Sequence, residues 1–121
     1  MVSRLNKPDA ICVYAEMMIC RGKLTYRKMK SQSFLVSFCH CFGATPCVAL
    51  ILWNMLIDYS LIPEGARIFH LLWAMMFLKL YDFEEENAMK AQVDKKTFRK
   101  WTWKMVRALS KLKVKVVSKF E

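Results

Sequence analysis

The stretch DKKTFRKWTWKMVRALSKL, residues 94–112, holds Lys95, Lys96, Arg99, Lys100, Lys104, Arg107 and Lys111 together with Trp101 and Trp103. Side chains of these types at this density bind rather than react. Fixed positive charges attract phosphate or anionic lipid, and an indole among them stacks on a base or a sugar. The two tryptophans are two residues apart, and on a helix such residues do not share a face. One of them faces the core and the other faces something else.

A helical wheel separates them. With Phe98 at 0° and an advance of about 100° per residue, Leu109 falls near 20°, Met105 near 340°, Leu112 near 320°, Trp101 near 300° and Ala108 near 280°. These residues form one apolar stripe. Lys96, Arg99, Lys100, Lys104, Arg107 and Lys111 occupy roughly 100° to 240°, the opposite side, and Trp103 lies among them near 140°. The wheel therefore assigns Trp101 to the core and Trp103 to the cation face. A solvated charged face is the ordinary use of a lysine-rich helix. Here the charges share one sign, with no acidic partner one turn on. They repel one another unless a polyanion compensates.

Other chemistry is weakly signalled. Cys39, His40 and Cys41 invite a metal reading, yet structural zinc takes four ligands, usually in spaced pairs. Adjacent residues do not converge on one ion, so Cys47 and His70 would have to be recruited, and buried thiols are the simpler reading. His70 sits in an apolar helix and is expected to be a hydrogen-bonded core residue. No nucleophile–base pair, phosphate loop or carboxylate dyad is visible. The expectation is a non-enzyme without cofactor or metal.

Helices must position the basic stretch. Only 3 Gly and 3 Pro occur in 121 residues, too few turns for an all-β design. Thr45 followed by Pro46 is a helix-start signal: a capping hydroxyl, then a proline at the first turn. The helix it opens carries Val48, Ile51, Leu52 and Met55 at i, i+3, i+4 and i+7 and stops before Pro63. A second helix over about 66–80 is apolar on most sides and reads as central and buried. A short acidic helix over 84–91 precedes Asp94, the N-cap of the last helix. Beyond Leu112, KLKVKVV alternates with period two and fits either a strand or a continued helix. Residues 9–20 fit a short helix, and residues 21–30 read as a weakly ordered basic segment.

The net charge of +10 is unevenly placed. Residues 1–38 carry 7 basic and 2 acidic side chains, residues 39–93 carry 3 and 6, and residues 94–121 carry 10 and 2. This asymmetry points to a polyanionic partner. The count of 5 cysteines is odd and no secretory signal is apparent, so reduced thiols and an intracellular location are expected. The apolar runs 47–57 and 68–78 reach only about 16 Å as helices, against roughly 30 Å of hydrocarbon. Buried helices of a small core are the better reading.

Phe42-Gly43, Pro46, Leu52-Trp53, Pro63, His70-Leu71-Leu72-Trp73-Ala74, Phe77-Leu78-Lys79 and Lys96-Thr97-Phe98-Arg99-Lys100-Trp101 with Trp103 resemble, in order and spacing, the N-terminal region of Harbinger-type transposases. These are DDE-superfamily endonucleases of eukaryotic mobile elements. The likeness covers about residues 42–112, and KTFRKWTW is its most specific part. It implies a helical bundle ending in a helix-turn-helix, with the helix from Asp94 docked in a major groove. It departs from the pattern in the glycine-free turn KAQVDKK and in the acidic supporting helix at Glu84, Glu85 and Glu86. The family's metal-binding carboxylates lie in a later domain, so the resemblance implies a truncated copy without endonuclease activity.

The resulting expectation is an all-α protein, a small helical bundle ending in a helix-turn-helix-like pair with a long basic C-terminal helix. Residues 1–33 are expected to be a poorly ordered basic segment and residues 34–121 the helical domain. Lys95, Lys96, Arg99, Lys100, Trp103, Lys104, Arg107 and Lys111 are the expected nucleic-acid contacts. Double-stranded DNA in the nucleus is the first partner, an anionic membrane surface the rival, and a remnant without retained function the third alternative.

Overall fold

The apolar runs that are too short to span a bilayer form helices of a bundle instead. A computed structural model describes residues 4–20, 31–80, 88–89 and 93–118. It contains α1 (Asp9–Cys20), α2 (Ser31–Phe42), α3 (Pro46–Asp58), α4 (Ile68–Leu80) and α5 (Lys95–Ser118), with no strand among the described residues. The protein is an all-α bundle with a long C-terminal helix. Helix α4, apolar on most sides, touches each of the other four helices. Its Leu71, Leu72, Ala74 and Met76 have 0% exposure, so it is the central helix that its composition predicts.

Helix α1 corrects the expected N-terminal boundary. Ile11, Ala15 and Met18 recur at i, i+4 and i+7 and are buried against α2, α3 and α4. Residues 9–20 therefore belong to the bundle rather than to a poorly ordered segment, and α2 begins at Ser31. The sequence signal was diluted because Asp9 and Glu16 sit on the outer side of a narrow stripe. The basic stretch 21–30 lies outside the described residues. Ahead of α1, the Asn54 amide clamps the chain. It accepts from Leu5 N–H and donates to Leu5 C=O, each at 2.8 Å, and Arg4 pairs with Asp58.

Helix α2 lines up Phe34, Phe38 and Phe42 on one face, with ring centroids 6.0 and 4.7 Å apart. Gly43 ends it in the left-handed region (φ 79°), donating its N–H to Cys39 C=O at 2.8 Å. Thr45 then caps α3 by accepting from Val48 N–H at 3.3 Å, with Pro46 in the first turn, as the sequence predicts. Neighbouring helices select which face of α3 is buried. Pro46, Ala49, Trp53 and Leu56 are buried, while Val48 and Ile51 are 42% and 56% exposed. The helix is apolar on more than one side, and the large ring of Trp53 takes the core.

Asp94 opens α5, accepting from Thr97 N–H at 3.2 Å and from the Thr97 hydroxyl. Thr97 holds the Asp94 carboxyl below its ordinary pKa. Just before it, Val93 N–H donates to Ala88 C=O at 3.0 Å. Ala88 and Met89 are helical; the rest of the supporting helix expected over 84–91 lies outside the described residues. Helix α5 runs on through Ser118, so the alternating KLKVKVV is helix and not strand. No single described helix is long and apolar enough to cross a membrane. The pair Phe34–Phe42 and Pro46–Asp58 has the length and composition together but bends by 48° between them.

Candidate nucleic-acid interface

Burial along α5 follows the wheel. Phe98, Met105, Ala108 and Leu112 are at most 4% exposed, and Val116 extends the stripe half-buried. Thr102, at about 40° on the same wheel, joins them at 1% exposure. Opposite, Lys96, Arg99, Lys100, Trp103, Arg107 and Lys111 are exposed and Lys104 is half-buried, while Lys95, at about 60° on the wheel, is exposed beside the stripe. All eight expected contact residues thus stand on one helix, seven of them at the surface. No ion pair engages Lys96, Arg107 or Lys111 among the described residues. Lys113 and Lys115, which the wheel did not enlist, are exposed too and lengthen the charged surface.

The two tryptophans are both more constrained than the wheel indicates. Trp101 is half-buried at the bundle edge rather than in its centre. The His70 imidazole stacks on its indole at 4.2 Å with 10° between planes. Lys104 and Lys100 reach over the same indole, their Nζ atoms 4.6 and 5.4 Å from its centre. Gly65 abuts the far edge: a Cβ there would lie 3.3 Å from Trp101 Cη2. Lys104 is therefore drawn toward the bundle. Trp103 is 42% exposed, and its ring meets Phe77 edge-on at 5.6 Å. Sequence periodicity could not find Phe77 as its support, because that contact joins α5 to α4.

His70 is the buried ionisable group behind this face. It is 5% exposed, and Nδ1 accepts from the Arg67 N–H at 2.8 Å. Arg67 is the residue that opens α4, so the imidazole satisfies one of that helix's orphan donors in the manner of a capping box. Burial, then the nearby Arg67 and Lys104, lower its pKa from 6.5 to about 4. It is neutral at pH 7, and the accepting Nδ1 places the proton on Nε2. This is the hydrogen-bonded core role expected of it.

Among the described residues, Cys39, His40 and Cys41 do not point to one centre. Consecutive positions on α2 turn Cys39, His40 and Cys41 about 100° apart, His40 is exposed, and His70 Nδ1 is already occupied. No group of three or more His, Cys, Asp or Glu side chains is placed to hold a metal ion among the described residues. Comparison with protein-family models, with curated proteins and with solved structures finds no match to this chain. The likeness to Harbinger-type transposases rests on the quoted residues alone.

Proposed function

We propose that the protein binds double-stranded DNA through the cation face of α5. One observation carries this reading: a 24-residue helix without an acidic residue turns its apolar stripe into the core and its cations outward. Like charges on one face cost stability in isolation, and a phosphate backbone converts that cost into affinity through release of condensed counterions. Lys96, Arg99, Lys100, Lys104, Arg107 and Lys111 supply the phosphate contacts. Lys95, Lys96 and Arg99, early in the helix, stand where a major-groove helix reads base edges. The likeness of residues 96–103 to a transposase helix-turn-helix supports the same reading, and a nuclear location goes with it.

An anionic membrane surface is the rival, favoured by the exposed Leu35, Val36, Val48 and Ile51 of α2 and α3. A helix that lies in a membrane interface buries its own apolar face among the acyl chains. The apolar stripe of α5 is already consumed by the bundle, which supports DNA over lipid.

The test compares duplex DNA with anionic vesicles over a salt series. Six phosphate contacts predict a log–log slope of about −5 for duplex binding. Replacing Arg107 with Ala should weaken binding to all duplexes and flatten the slope by about one unit. Vesicle binding without DNA binding would make the reading wrong.

A further inference from the structure

We infer that Trp103 stacks an unpaired base, so that the preferred ligand of this face is duplex DNA carrying a single-stranded overhang. The inference rests on the nucleic-acid reading of α5 and narrows it. Trp103 is the one exposed Phe, Tyr or Trp ring among the described residues; the others are buried or half-buried. Its neighbour Trp101 is occupied by His70 and two lysines, which leaves a single indole for an outside partner.

Two features make Trp103 a platform. Phe77 braces the ring edge-on at 5.6 Å and 63°, which reduces the side-chain freedom lost on binding. Trp103 also stands inside a row of cations. Lys95, Arg99, Trp103, Arg107, Lys111 and Lys115 follow one another at i+4 along α5. Each step advances about 6 Å along the helix axis. Arg99 and Arg107 therefore flank the indole one turn away on either side, where they can engage phosphates on both sides of a stacked nucleotide.

A fully paired duplex supplies phosphates to this row but keeps its base faces stacked on one another. An unpaired nucleotide offers a π-face between flanking phosphates, whereas a paired base exposes one only at the duplex terminus, and base–aromatic stacking is tolerant of sequence. The cations hold the duplex and its overhang, and the indole distinguishes an unpaired base from a paired one.

The experiment measures affinity by fluorescence anisotropy for a blunt duplex and for the same duplex with a short overhang, built as DNA in one arm and RNA in another. The wild-type chain should bind an overhang duplex about ten-fold or more tightly than the blunt one, with either sugar. Trp103→Leu, which keeps apolar contact with Phe77, should abolish that preference by weakening overhang binding about ten-fold more than blunt-duplex binding; Trp103→Phe should retain most of it. Circular dichroism should show unchanged helicity in both variants. Equal affinity for the two ligands, or equal losses on both in Trp103→Leu, overturns the inference while the duplex reading stands. Absence of any DNA binding overturns both.

Discussion

Thr102 shows what a single residue contributes against the grain of its surroundings. It lies on the core stripe of α5 at 1% exposure, and its hydroxyl has no hydrogen-bond partner among the described residues. Burying an unpaired hydroxyl costs about 1–3 kcal/mol of desolvation. Thr102→Val has nearly the same shape and removes that group, so it should stabilise the fold by about 1 kcal/mol and raise the thermal midpoint. A lowered midpoint would show that the hydroxyl is satisfied after all. The wheel puts Thr102 on the stripe, so its burial was legible in the sequence. Its lack of a partner was not, because that depends on which atoms α5 faces.

At the scale of the element, the ends of the helices were the most legible feature. Thr45-Pro46 and Asp94 announce their helices because caps act over three or four residues and need no tertiary partner. The end of α3 is less obvious. Ser60 N–H donates to Ile57 C=O at 3.0 Å and Leu61 N–H to Leu56 C=O at 2.8 Å, the paired bonds of a Schellman motif. The motif places Ser60 at a φ of 56°, where a side chain is strained. Ser60→Gly should relieve that strain and stabilise by about 1 kcal/mol, read as a higher midpoint in urea with unchanged slope. The face that α3 buries was not legible, because Val48, Ile51, Leu52 and Met55 match a helical stripe as well as Ala49, Trp53 and Leu56 do. Helix periodicity identifies a helix, but when two stripes compete, neighbouring helices select between them.

At the scale of the whole molecule, His70 ties the start of α4 to α5 and makes the bundle sensitive to acid. Its folded pKa is about 4 and its ordinary value 6.5. Between those values the unfolded chain takes up a proton that the folded chain refuses. The stabilisation is fully present above pH 6.5, declines as pH falls, and is lost once pH passes below about 4, a change of at most about 3 kcal/mol. His70→Gln keeps an acceptor for the Arg67 N–H and does not titrate. Denaturation midpoints measured between pH 4 and 7 should slope less steeply in this variant than in the wild type. Parallel slopes would remove His70 as the cause.

The amino-acid sequence alone determined the helical class, the central burial of α4, the cap residues, and the division of α5 into an apolar stripe and a cation face. Each of these follows from local chemistry or from the angular spacing of side chains on one helix. Tertiary structure alone decided that α1 joins the core, that Trp53 rather than Ile51 faces inward, and that Lys100 and Lys104 lean over Trp101. It also placed Phe77 behind Trp103. These outcomes depend on which surfaces meet across helices far apart in the chain, and packing volume at those meetings is not encoded by the period of any single helix.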